Sequence, residues 1–224
     1  MVVIDVLNNA EGREYLLNKF GIRKVPVLAK GDQYAFGQML DPFAKLAGLP
    51  LPGANRLSPE QLYRKYEMIF AAAQRYARQF PAERFLERAI DHRPRPIRTL
   101  NYHIFRIGEA FLETWDGAEY SVKIADNEPP ESMVGGDAVA QYGAGVWSRM
   151  AVWWSGLEDR SLSKVLKTYF GEVPAHQVYE RVTWHSAQHC RQLCAVLEGL
   201  GIAPDGPLTA DDLKGLPLPE RLWE

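Results

Sequence analysis

The sequence predicts an α+β chain that is mainly helical: a four-helix bundle over residues 58–203, preceded by a small β-α-β-β-α unit in residues 1–50. Three observations carry this. Four amphipathic segments of roughly 18 residues or more each show one apolar stripe, the pattern of helices that bury one face against one another. The first fifty residues instead hold short β-branched runs around one helical segment. Between them "PLPGANRLSP" is rich in Pro, Gly and Asn, so a linker is placed at 51–57.

In the N-terminal unit, "VVIDVL" at 2–7 reads as a short buried strand. "AEGREYLLNKFG" has helical spacing and ends at Gly21, a residue suited to a helix C-terminus. "KVPVLAK" reads as a strand, "GD" at 31–32 as a turn, and "QYAFG" as the returning strand. "QMLDPFAKLAGL" closes the unit as a short helix.

The bundle begins at Ser58, an N-cap with Pro59 at the first helical position and Gln61 three residues on. Leu62, Tyr66, Ile69, Ala73 and Phe80 form the first stripe. The second helix spans 97–115, with Ile97, Leu100, Ile104, Ile107 and Phe111 inward. A long irregular stretch, "DGAEYSVKIADNEPPESMVGG", follows; loops of that length tend to be functional or mobile. The third helix spans 137–157, with Val139, Tyr142, Val146, Met150, Trp153 and Leu157 inward. A short helix is expected at 161–170, and the fourth long helix at 175–197 with Gly199 beyond it. The Pro-rich tail, 204–224, is expected to lie across the bundle, anchored by Leu222 and Trp223.

Composition removes several function classes. Of 224 residues, 46% are hydrophobic and 24% charged, enough to fill a core. The formal net charge of −2 gives nucleic acid no electrostatic footing. No apolar run approaches the roughly 18 residues of a membrane span. The N-terminus shows no basic segment followed by an apolar one, so no secretory signal is read there. The two cysteines, Cys190 and Cys194, stand four apart on one helix, a poor geometry for a disulfide, and no C-x-x-C occurs. A reducing cytoplasm is the expected compartment.

The stretch "TWHSAQHCRQL" is the most informative. In the fourth helix, Val178, Val182, Leu193 and Val196 make the apolar stripe, and His185 and His189 continue it at steps of three and four. Both therefore point inward, one turn apart. In the second helix, His103 lies three after Leu100 and four before Ile107, so it also faces inward. A buried imidazole needs a hydrogen bond or a metal. Three neutral imidazole nitrogens suit Zn, Ni or Fe, at nitrogen–metal distances of roughly 2.0–2.1 Å. Such a set leaves one coordination position open, as in a catalytic site. The competing reading is a packed helix face whose histidines hydrogen-bond one another and nearby acids. His92 and His176 are expected in solvent, and both cysteines read as packing residues. Arg149, Trp153 and Trp154 are candidates for a substrate mouth, though aromatics at helical spacing more often form core.

These residues also carry a resemblance. "TLNYHIFRIGEAFLE", followed about eighty residues later by "ERVTWHSAQHCRQLCAVL", resembles the DinB family of damage-inducible and YfiT-like four-helix proteins. The ending "LPLPERLWE" is similar to the way such chains finish. The resemblance covers residues 58 to 224. It implies a four-helix bundle, often a homodimer, with a divalent metal (Zn, Ni or Fe) held by His103, His185 and His189. Characterised relatives include metal-dependent S-transferases and isomerases acting on low-molecular-weight thiols; many members have no assigned reaction.

"RKVPVLAKGDQYAFG" is similar to the second half of a glutaredoxin-type thioredoxin fold. There a Val-Pro with a cis proline faces bound glutathione. The resemblance carries that role to Val25 and Pro26, with Gly37 and Asp41 as weaker matches. The departure is the missing first strand and C-x-x-C helix, so it brings no dithiol chemistry and admits a degenerate structural remnant.

Three readings follow. The chain is a metal-dependent thiol S-transferase acting on glutathione or a similar thiol and an electrophile, with Arg106 and Tyr102 as candidate substrate contacts and no catalytic residue assigned. Alternatively it is a non-catalytic metal- or small-ligand-binding module. In the third reading it is a structural bundle without metal.

Overall fold

The computed structural model describes all residues except Met1, Leu7, Lys24, Gln38, 50–55, Asp91, His92 and Glu224. The expectation of a solvated His92 and most of the 51–57 linker fall outside the described residues. The chain divides into two compact units, Met1–Ala54 and Asn55–Glu224. It is α+β, with eight helices and three two-stranded antiparallel sheets among the described residues.

In the first unit, helix α1 (Ala10–Phe20) is capped by the Asn9 side chain, which accepts from Gly12 N–H at 2.7 Å. It stops at Gly21, whose φ of 69° is open to glycine without strain. Strands β1 (Val27–Lys30) and β2 (Gln33–Phe36) form a hairpin around Gly31, with Val27 opposite Phe36. Helix α2 (Leu40–Ala47) follows. Residues 2–6 are not a strand, which corrects the expected leading strand and makes the order α-β-β-α. Val2, Val3 and Ile4 are exposed, with no ladder to join, so their β-branched character alone does not hold them extended in a sheet.

In the second unit, four long helices form the bundle core: α3 (Pro59–Gln79), α4 (Ile97–Trp115), α6 (Gly136–Ser155) and α7 (Ala175–Gly199). Helices α3 and α4 each pack against both α6 and α7. The start of α3 is a complete capping box: Ser58 Oγ accepts from Gln61 N–H at 3.2 Å, and Ser58 N–H donates to Gln61 Oε1 at 2.8 Å. The inward stripes are buried as their spacing requires: Leu62, Tyr66, Ile69 and Ala73 on α3, and Ile97, Leu100, Ile104, Ile107 and Phe111 on α4. Each large apolar side chain so buried contributes about 1.5–3 kcal/mol. Gly143 lets α6 approach α4, because a Cβ there would meet the Phe105 ring at 2.5 Å.

Two short hairpins set where α4 and α7 begin. Strands β3 (Arg88–Ile90) and β4 (Arg93–Pro96) precede α4, and β5 (Val165–Thr168) and β6 (Gly171–Pro174) precede α7. The helix expected at 161–170 is therefore a strand. Leu166 and Thr168 face inward while Val165 and Lys167 face out, a period of two rather than 3.6. Tyr120 N–H donates to the Lys167 carbonyl and Tyr169 N–H to that of Tyr120, so the hairpin also holds the chain leaving α4. The long connection after α4 contains a one-turn helix, α5 (Val122–Ala125), capped by Ser121.

The tail includes α8 (Ala210–Leu213) and lies against α3 and α7. Its anchors are backbone carbonyls: Arg75 Nη2 donates to Gly206, Arg191 to Pro219, and Gln188 to Arg221 and Leu222. Leu222 is therefore an anchor through its carbonyl, and the Leu222 and Trp223 side chains are half-buried.

An ion network crosses from α4 to α6. Arg106 donates to Glu109 and Glu113 at 2.6 Å each; Glu109 also accepts from Tyr142 at 2.5 Å and from Arg149. Burial works to raise the Glu109 carboxyl, but these donors hold it below its ordinary value near 4.5. A carboxyl depressed on folding stabilises the native state above its unfolded pKa, and that stability is lost as pH falls through the folded value. Glu109→Gln should therefore cost about 2 kcal/mol at pH 7, where the parent carboxylate is charged. The difference should shrink below about pH 4.5, measured by urea melts of both proteins across pH 3–7.

Candidate metal centre

His103 projects from α4, and His185 and His189 from successive turns of α7. The structure brings the three together as their helical spacing anticipates. Ring centroids lie 5.4 Å apart for His103 and His185, 5.0 Å for His103 and His189, and 4.7 Å for His185 and His189. One nitrogen from each ring can be chosen so that all three lie within 4.8 Å of one another. His103 and His189 are buried and His185 is half-buried.

A histidine must be neutral to ligate. Burial is the main influence holding both His103 and His185 well below their ordinary value. The neighbouring imidazoles, Arg95 and Arg181 act in the same direction. These rings stay uncharged at neutral pH with lone pairs available.

Contacts behind two of the rings bear on which nitrogen carries the lone pair. His103 Nδ1 lies 3.6 Å from Asp126 Oδ1, and the nearby Ala125 backbone works against burial in favouring the protonated ring. Arg106 Nε donates to the Ile124 carbonyl at 2.8 Å, so α4 holds both this helix turn and its own histidine. On α7, His189 Nδ1 is 2.7 Å from Gln192 Oε1. The Gln192 amide is oriented by the tail, because its Nε2 donates to the Leu222 carbonyl at 2.9 Å. The amide oxygen thus faces the ring, His189 Nδ1–H donates to it, and Nε2 is left as the coordinating atom. His185 stacks on Trp184, with centroids 5.6 Å apart and planes at 19°. The Arg181 guanidinium lies over that indole at 5.7 Å and has a buried Nε with no hydrogen-bond partner among the described residues.

Three imidazoles from two helices, with potential ligand atoms within 4.8 Å of one another and His189 held by the Gln192 amide oxygen, could hold a metal ion.

The other expected positions resolve differently. Tyr102 is buried and stacks on Tyr142 at 4.9 Å, and Arg106 is consumed by its two carboxylates. Both side chains are thus engaged in contacts within the protein. Trp153 packs against Phe111 and Tyr179, Trp154 stacks on Tyr63 at 4.7 Å, and Arg149 pairs with Glu109. This trio is core and ion network rather than a mouth. His176 is not simply solvated: its Nε2 is 2.9 Å from the Leu57 carbonyl. Cys190 is fully buried, its thiol pushed up by burial, and Cys194 is half-buried; both are free.

In the N-terminal unit, the Val25–Pro26 peptide is cis. Gly37 N–H donates to the Pro26 carbonyl at 2.9 Å, and a Cβ at Gly37 would meet Pro26 Cγ at 2.7 Å. The structure thus brings Pro26 and Gly37 together, with Asp41 in the first turn of α2.

The groups that the sequence did not reveal are Arg95, Asp126, Arg181 and Gln192. Gln192 carried a signal, standing three after His189 on the same face; the others did not. No protein family, curated protein or solved structure matches this chain.

Replacing Gln192 with Leu should leave the helical content unchanged and weaken divalent-metal affinity by about 10- to 100-fold, the usual effect of losing the acceptor behind a ligating histidine. Competition titration with a chromogenic chelator measures it.

Proposed function

We propose that this chain is a DinB/YfiT-like, metal-dependent thiol S-transferase, with glutathione or a similar low-molecular-weight thiol as one substrate and an electrophile as the other. The observation that carries this reading is the convergence of three imidazoles from α4 and α7, two of them held well below their ordinary pKa, with potential ligand atoms within 4.8 Å. His103, His185 and His189 hold the ion as neutral ligands and leave a tetrahedral site one position short. When bound, a divalent ion supplies Lewis acidity that makes a coordinated thiol a thiolate at neutral pH.

The protein's own groups favour the same charge state. The guanidiniums of Arg95 and Arg181 act on the cluster with positive potential, which favours an anionic sulfur over a neutral one. Trp184 and Gln192 hold His185 and His189 in place, so no reorganisation is needed when the anion arrives. In the N-terminal unit, taken by itself, we assign Val25 and Pro26 to contact with glutathione or a similar peptide thiol. Their support is the glutaredoxin resemblance and the closeness of Pro26 to Gly37. A cytoplasmic homodimer is the state proposed for the working protein. No helix among the described residues is long and apolar enough to cross a membrane.

A non-catalytic metal- or ligand-binding module is the second reading. It is favoured by the withdrawal of Tyr102 and Arg106 into the core, which removes two groups from any reaction.

Elemental analysis of tag-free protein tests the shared premise. One equivalent of Zn, Ni or Fe is expected in the parent and none in the His185→Ala/His189→Ala variant. Added metal at about a hundred times its dissociation constant should stabilise the parent by about 2.7 kcal/mol and leave the variant unchanged. A parent that binds none of the three ions would sink the transferase reading and the metal-binding form of the second.

A further inference from the structure

The His103 ring forms part of the wall of a cavity of about 120 Å³. This is room for on the order of ten water-sized groups, a small head group rather than a whole cofactor. The rest of the lining is Arg95, Pro96, Thr99, Asp126, Asn127 and Glu128. One guanidinium and two carboxylates therefore share a space that opens beside a candidate ligand histidine.

Asp126 and Glu128 are exposed at the rim of this space, and Arg95 is half-buried in its wall. The Arg95 guanidinium makes no hydrogen bond or ion pair among the described residues. Asp126 Oδ1 lies 3.6 Å from His103 Nδ1, beyond ordinary hydrogen-bond distance. Glu128 Oε2 is held in place by Thr99 Oγ1 at 3.0 Å. A simple anion entering here meets two carboxylates, and a simple amine meets Arg95. A group carrying both charges satisfies each wall.

We propose that this cavity is a subsite for an α-amino-acid head group, with its ammonium on Asp126 and Glu128 and its carboxylate on Arg95. The assignment rests on the thiol-transferase reading and narrows it: the thiol carries a zwitterionic end, either on the cysteine itself or on a γ-glutamyl group. The rest of the molecule then runs past His103 toward the imidazole cluster.

Thioether probes test the subsite without stripping metal. S-methyl-L-cysteine and S-methylglutathione carry the zwitterion, 3-(methylthio)propionate only the carboxylate, and 2-(methylthio)ethylamine only the ammonium. Calorimetric titration of the full chain, with metal content measured on the same sample, is expected to show one zwitterionic probe binding at least about tenfold tighter than either single-charge probe. Whichever zwitterion binds tighter identifies the source of the head group. Arg95→Gln should abolish that preference, with thermal melting unchanged. Equal binding of all probes, no binding of any, or an intact preference in Arg95→Gln would overturn the subsite even if the metal is present. A chain that shows the preference but holds no metal keeps the subsite and loses the transferase reading.

Discussion

Three imidazoles sit where α4 meets α7, and a charge on His103 or His185 would be buried beside two guanidiniums. Keeping those rings neutral, and giving their nitrogens partners, is the constraint that organises this end of the molecule. The α5 turn lies beside His103, with Asp126 Oδ1 3.6 Å from its Nδ1, and Arg106 secures that turn through Ile124. His189 takes Gln192, and Gln192 takes the Leu222 carbonyl, which requires the tail to end on α7. The tail, a segment without long-range periodicity, is thus placed by the polar needs of one ring.

The remainder of the bundle is built to keep that region rigid. Aromatic rings fill the space between α3, α6 and α7: Tyr66 meets Phe70 edge-on at 4.7 Å, and Tyr63 stacks on Trp154. Such pairs add about 0.5–1.5 kcal/mol beyond the area they bury. The Arg106–Glu109–Tyr142–Arg149 network joins α4 to α6, and the hairpins β3–β4 and β5–β6 set the starts of the two histidine-bearing helices. Rigid helices with anchored ends are what a three-ligand site requires, because an ion tolerates little drift in its ligands.

The long helices were legible because their apolar residues recur at three and four over five or six turns, and burial of Leu62, Tyr66, Ile104 and Phe111 follows directly. The same arithmetic placed His103, His185 and His189 on inward faces. It failed where elements are short. Residues 165–168 alternate in burial over only four positions, too few to outweigh the expectation of a helix, and tertiary pairing with Gly171–Pro174 decided the matter. Val2 to Leu7 showed the reverse error: β-branched composition suggested a strand, but the described residues there have no ladder partner.

Periodicity is a local property, so the sequence by itself determined the four long helices, which face each of them buries, and that three imidazoles lie on those faces. Convergence is not local. That His103 lies within reach of a pair more than eighty positions away depends on how α4 packs on α7. The arrival of Arg95, Asp126 and Glu128 at one cavity beside it depends on a hairpin and a one-turn helix, and on hydrogen bonds between segments that carry no pattern of their own. Only the tertiary structure decided these contacts, because side-chain charge and hydrogen-bond demand act through space rather than along the chain.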